Sequence, residues 1–217
     1  MVISNYQQKF IEGNKKMPKS KLILFILFFY IGWTIKELTF HPKITDLELY
    51  LISFLIKMIF WIGLVVIYFV YIDRVKLQQI IDYIKLKQNI IKGVFTGGII
   101  GLLLVAIEAT IFNGFRLDIG IRWIITPLTA FSEEVVFRGF VMNKLRDHRV
   151  KGYNFIQAIL FMGIHFPIGI ISGYSLLNYL TIFLVGYILG FIYKKTSSIW
   201  APTIAHSVYN ILIYLRQ

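Results

Sequence analysis

The sequence predicts an all-α, polytopic transmembrane helix bundle of about seven spans (six to eight) with one interfacial amphipathic helix. Three observations carry this. Hydrophobic residues fill 57% of the 217 positions and charged residues only 16%, against roughly a quarter charged in a soluble domain. The mean hydropathy is +0.70. Apolar runs that approach or exceed the roughly 18 residues needed to cross a bilayer recur along the chain.

Seven apolar segments are expected, at 22–35, 47–72, 93–112, 119–142, 153–171, 176–193 and 197–215. The first follows a basic tail and ends in WTIKEL, without small residues at a cleavage site, so it reads as an uncleaved span rather than a signal peptide. After the second, the 73–92 connection places Leu77, Ile80, Ile81 and Ile84 at helical spacing among basic residues, which predicts an amphipathic helix on the inner leaflet. The third carries Gly93, Gly97 and Gly101 every four residues, and the sixth carries Gly186 and Gly190. In lipid, such spacing lets helix backbones approach closely. The fourth, fifth and seventh hold most of the polar groups found within spans. No repeat, low-complexity tract or long linker divides the chain, so one domain is expected over 1–217.

The net charge is +12, and of the 23 Lys and Arg residues 16 fall in 9–21, 74–92, 144–151 and 194–195. Basic clusters between spans mark cytoplasmic loops under the positive-inside rule. Their alternation with mixed or uncharged connections predicts a multi-pass protein of the cell membrane, N-terminus in the cytoplasm and C-terminus outside. The same clusters favour an anionic lipid surface. No stacking platform or binding motif accompanies the charge, so nucleic acid is not an expected partner. Cysteine is absent, which excludes a disulfide framework, a thiolate nucleophile and a cysteine-ligated metal.

An ionisable group in hydrocarbon costs roughly 2.5–3.5 kcal/mol on insertion scales, so each one needs an explanation. Lys57 can snorkel or meet a partner, and Glu108 lies near a span end; structural roles are expected for both. The other polar groups form three sets. Glu134 and Arg138 share a helix face at i,i+4 and can pair. Glu133 is turned by about 100° from Glu134 and left without a partner. In FMGIHFP, Phe161 and His165 share a face. In SSIWAPTIAHSVYN, Pro202 suits a first helical turn, and His206 and Asn210 stack at i,i+4 as two donors aimed the same way, a plausible oxyanion site. Interhelical hydrogen bonding accounts for any one set. Convergence of all three into one pocket resolves every desolvation problem together.

Other intramembrane chemistries lack their residues. No aspartate pair occurs within a span, there is no H-E-x-x-H, and GIISGYS lacks the context of a nucleophile elbow. A carboxylate and a histidine acting on water remain.

The order E-E-x-x-x-R (Glu133, Glu134, Arg138), F-x-x-x-H (Phe161, His165) and H-x-x-x-N (His206, Asn210) resembles the CPBP family of CAAX proteases and bacteriocin-processing enzymes, also called Abi. GYILGFIYKKTSSIWAPTIAH, leading into the last motif, is similar to that family as well. The resemblance covers about residues 119–215 and places the catalytic core there. It implies an intramembrane endopeptidase acting on a membrane-associated peptide or protein. Glu133 is then the general base that activates water, assisted by His165; His206 and Asn210 stabilise the oxyanion; Glu134 and Arg138 orient the site. No cofactor is favoured, because Asn210, the i,i+4 neighbour of His206, is a poor zinc ligand. Zinc held by Glu133, His165 and His206 stays open as an alternative mechanism. So does a non-catalytic bacteriocin-immunity or scaffold protein of the same fold.

Overall fold

The computed structural model describes residues 19–44, 46–109 and 119–215. The N-terminal tail, most of the 113–122 connection and the side chain of Glu108 lie outside the described residues. Among the described residues there is no strand, and the molecule is an all-α membrane helix bundle.

Within the described residues each expected apolar segment is largely helical. Helix α1 spans Lys19–Phe40, and α2 spans Leu47–Ile67 and continues as a π-helical stretch, Tyr68–Ile72. The short α3 is Leu77–Tyr83, and α4 is Ile90–Ala109. Helix α5 runs Arg122–Glu134, widens into a π-helical stretch over Val135–Met142 and tightens again as α6, Asn143–Asp147. The remaining helices are α7 (Tyr153–Gly163), α8 (Phe166–Ser172), α9 (Leu176–Thr196) and α10 (Trp200–Leu215). Among the described residues four stretches are long and apolar enough to cross a membrane: Lys19–Lys43, Leu47–Ile72, Tyr153–Ser172 and Leu176–Thr196. Neither α5 nor α10 is among them. The first carries the charged motif and the second has only 16 residues.

Local chemistry sets several boundaries. Asp46 caps α2 by accepting from the Leu49 N–H at 2.9 Å. Ser175 and Asn178 form a reciprocal capping box at the start of α9. The expected single span over 153–171 is broken, and Pro167 is the reason. With no N–H to donate and a ring that crowds the preceding turn, it fits only the first turn of a new helix. His165 therefore sits at a corner between α7 and α8. The Tyr30 hydroxyl donates to Leu160 O, and Trp33 Nε1 donates to Ile164 O at 3.1 Å. Both bonds tie α1 to carbonyls beside the break.

The largest core joins α1, α2 and the π-helical part of α5 through aromatic rings. Phe29 and Trp61 meet at 5.0 Å between centroids, and Phe137 and Phe161 at 5.3 Å, both edge to face. Such pairs contribute about 0.5–1.5 kcal/mol each beyond burial. That directional term matters in a bilayer, where apolar burial alone favours no particular helix partner. A second contact lays α10 along α4. A Cβ on Gly97 would stand 2.5 Å from Ala201 O, and one on Gly101 would stand 2.8 Å from Val208 Cβ. The four-residue glycine repeat is thus the groove that seats α10.

The 73–92 connection is helical over a shorter stretch than its periodicity predicts. Ile80 and Ile84 are buried, but α3 ends at Tyr83, and Lys85 and Asn89 take left-handed backbone with φ of 60° and 48°. The chain then docks on the α9–α10 turn: Asn89 Nδ2 donates to Thr196 O at 2.9 Å, and Trp200 Nε1 donates to Leu86 O at 2.8 Å. Three basic connections meet at this one end.

Candidate active site

The centre is built from α5, α2, α7, α9 and α10. Glu133 and Glu134 are the last residues of the regular part of α5, just before the π-helical turn, a distortion often found at functional sites. Both are buried, as is every residue of Val135–Met142.

Glu134 and Arg138 form the pair their spacing predicts, with Arg138 Nη1 donating to Glu134 Oε1 at 2.9 Å. The guanidinium also donates from Nη2 to Gly186 O at 2.8 Å and lies over the Phe161 ring at 4.4 Å. Gly186 is glycine for want of room, since a Cβ there would stand 2.9 Å from Phe161. Gln157, fully buried, donates to the same carbonyl at 3.0 Å. This extends the network to a residue the sequence motifs do not single out.

His206, on α10, lies beside both carboxylates. Its Nδ1 bonds Glu134 Oε1 at 2.8 Å, and its Nε2 stands 3.7 Å from Glu133 Oε2. Because a carboxylate only accepts, Nδ1 carries the proton of the shorter contact. His165 is half-buried; its Nδ1 faces Phe161 O at 2.9 Å. Phe161 stands between the histidines, with ring centroids 5.2 Å from His165 and 5.7 Å from His206. Lys57, His206 and His165 all act electrostatically on Glu133. Asn210, one turn beyond His206, is half-buried and makes no hydrogen bond among the described residues. Hydrogen bonds therefore join Glu134, Arg138 and His206 directly, His206 reaches Glu133 through an ion-pair contact, His165 is a neighbour through space, and Asn210 is linked only by its place on α10.

Glu133 is not left alone, and here the structure corrects the sequence expectation. Lys57, from the middle of α2, donates to Glu133 Oε1 at 2.5 Å. The ammonium lies 4.5 Å from the Trp61 ring centroid and 5.2 Å from that of Trp33, contacts that stabilise a partly desolvated cation. A lysine in mid-span was the available sequence signal. Its partner was not readable because it lies 76 positions away. The second oxygen, Glu133 Oε2, is buried without a hydrogen-bond partner among the described residues. Glu134 Oε2 shares that state, but Glu134 is 0% exposed whereas Glu133 keeps 5%.

Among the described residues no three His, Asp or Glu side chains come together in a way that could hold a metal ion. Beside Glu133, the oxygen nearest a cation already faces the Lys57 ammonium, whose charge opposes a second cation.

Comparison with known proteins adds an independent finding. Residues 102–212 match the family model described as Type II CAAX prenyl endopeptidase Rce1-like. No curated protein and no solved structure matches the chain. The matched stretch begins within α4 and contains every motif residue from Glu133 to Asn210, slightly over half of the sequence, and on this ground the chain belongs to the Rce1-like family of type II CAAX prenyl endopeptidases.

Proposed function

We propose that the protein is an intramembrane endopeptidase in which Glu133 is the general base for water. The observation that supports this most is the asymmetry of that carboxylate: Oε1 is held by Lys57, while Oε2 is buried, free of partners among the described residues and faced by His206. One oxygen is anchored and the other is available to a water. Glu133 takes a proton from that water as the oxygen adds to the scissile carbonyl carbon, and His165 helps to orient the water. Negative charge then develops on the carbonyl oxygen. His206, held through Nδ1 by Glu134, presents Nε2 to that oxygen, and Asn210 Nδ2 donates beside it. Collapse of the intermediate breaks the C–N bond, and the proton held by Glu133 passes to the leaving amine. Pre-aimed donors of this kind act strongly because water is excluded and no reorganisation is needed.

Lys57, Glu134 and Arg138 are positioning residues in this scheme. The substrate is a membrane-associated peptide or protein, and the reaction proceeds without a metal. Basic connections gathered at one end of the bundle support a multi-pass arrangement with that end in the cytoplasm.

Peptide hydrolysis by purified protein, reconstituted in lipid with a mixed library of membrane-associated peptides, tests the reading. Glu133→Gln should abolish the cleavages that wild type produces. Identical cleavage by the two, at equal amounts of folded protein, would leave the Lys57–Glu133 pair a structural ion pair in a non-catalytic immunity or scaffold protein. Full activity after exhaustive chelation is expected; loss restored by zinc would overturn the metal-free scheme.

A further inference from the structure

The end of the bundle where the basic connections meet contains a small cavity, of about 10 Å³, lined by Lys85, Met142, Asn143, Arg146, Tyr153, Tyr193 and Lys194. Room of this size admits one oxygen-sized group. Lys85 lines it and is only 4% exposed. The ammonium donates to Ser197 Oγ at 3.2 Å and lies 4.8 Å from the Tyr193 ring centroid. No carboxylate forms an ion pair with it among the described residues, although a buried cation without a counter-charge is costly. The other buried or nearly buried lysines among the described residues, Lys36, Lys57 and Lys144, each have one.

The backbone is shaped to hold Lys85 there. Lys85 and its partner Ser197 both take left-handed conformations, at φ of 60° and 54°, which side chains with a Cβ adopt only where the surroundings impose them. Arg146 is half-buried and Lys194 exposed, so two more cations stand at the mouth. Asp147, beside Arg146 at 3.1 Å, offsets one of these charges. Tyr193 Oη accepts from Asn143 Nδ2 at 2.7 Å, which leaves its hydroxyl hydrogen free to donate into the cavity. Burial lowers the Lys85 pKa to about 8, and Arg146 adds to that effect.

We propose that this cavity binds a phosphate group, taking one phosphate oxygen between Lys85 and the Tyr193 hydroxyl while Arg146 and Lys194 hold the remaining charge at the mouth. The phosphate is that of an anionic lipid headgroup or free inorganic phosphate; the chemistry of recognition is the same. The site is independent of the peptidase scheme.

The test measures the Tm of the purified full chain in neutral detergent micelles doped with phosphatidylglycerol or with phosphatidylcholine, and in the latter with inorganic phosphate added. Phosphatidylglycerol should raise Tm above phosphatidylcholine, with Lys85→Met and Lys194→Met each shifting half-saturation by about tenfold, the size of one lost charge-assisted hydrogen bond. Lys87→Met removes an equal charge from an exposed neighbour and should leave the response intact. A rise with inorganic phosphate that depends on Lys85 in the same way supports the site and names free phosphate as the source. Lys194→Met alters an exposed position and decides the matter should Lys85→Met not fold. Equal responses to the two lipids with none to phosphate, or responses of Lys85→Met and Lys194→Met that match that of Lys87→Met, would overturn the proposal.

Discussion

Two ion pairs of the same chemistry and length are buried in this bundle. Lys57 meets Glu133 at 2.5 Å, and Lys144 meets Asp73 at 2.5 Å. Both ammonium groups rest among aromatic rings: Trp33 and Trp61 for Lys57; Tyr68, Phe69, Tyr83 and Phe140 for Lys144. Both acids also keep their second oxygen, Asp73 Oδ1 and Glu133 Oε2, buried without a hydrogen-bond partner among the described residues, so the difference lies in what stands in contact with that oxygen. Asp73 stands just past the end of α2, where its lysine belongs to an aromatic box that locks α2 to α6. Glu133 faces an imidazole at 3.7 Å, with a second histidine and a second carboxylate close by. A buried ion pair is therefore weak evidence of function in itself. The neighbours of the acid separate a structural strut from a site equipped for proton transfer.

Changes that treat the two pairs alike should produce unlike results. The largest effect is expected from Glu133→Gln, which keeps the side-chain shape and removes the base. Cleavage should fall by about a thousandfold or more, near the upper range for a general base, with Tm still cooperative and within a few degrees of wild type. Asp73→Ala is the counterpart. It strands Lys144 in its box and should cost about 3–5 kcal/mol of stability, measured as earlier unfolding, while the fraction that remains folded cleaves at the wild-type rate. Next in size is Asn210→Ala, for which turnover should drop by about a hundredfold with little change in KM, as for loss of one oxyanion donor; an unchanged turnover would remove Asn210 from the scheme.

The smallest effect concerns Lys85, the buried cation with neither arrangement. Its pKa falls from an ordinary 10.5 to about 8 on folding, so between those values the unfolded chain holds a proton that the folded chain has released. Stability must then rise with pH across that window, and the strain of the charged form is fully present below about 8. Unfolding monitored from pH 7 to 10 should show this gain in wild type relative to Lys85→Met, and phosphatidylglycerol should reduce it.

Much of the helical framework was legible because apolar runs and glycine spacing are local signals. Gly93, Gly97 and Gly101 announced a close helix contact, although only the structure names α10 as the partner. The Glu134–Arg138 pair was legible from i,i+4 geometry within one helix. The Lys57–Glu133 pair was not, since no sequence period links α2 to α5. The break at His165 had its signal in Pro167, but the surrounding hydrophobicity continues unchanged through 153–171 and hides it. The early end of α3 had only a weak signal: Asn89 takes left-handed backbone readily, but at Lys85 that conformation comes with docking on the α9–α10 turn.

The π-helical stretch Val135–Met142 sets a rule for how this chain can change in length. Removing one residue there would leave composition and hydrophobicity almost untouched. A deletion between Glu134 and Arg138 would nevertheless shorten the four-residue spacing on which their ion pair is built. Substitutions in this segment alter the fit of a side chain, whereas a single insertion or deletion shifts both carboxylates together relative to Arg138. The four-residue step from Glu134 to Arg138 is therefore a constraint of length, one that composition and hydropathy do not show.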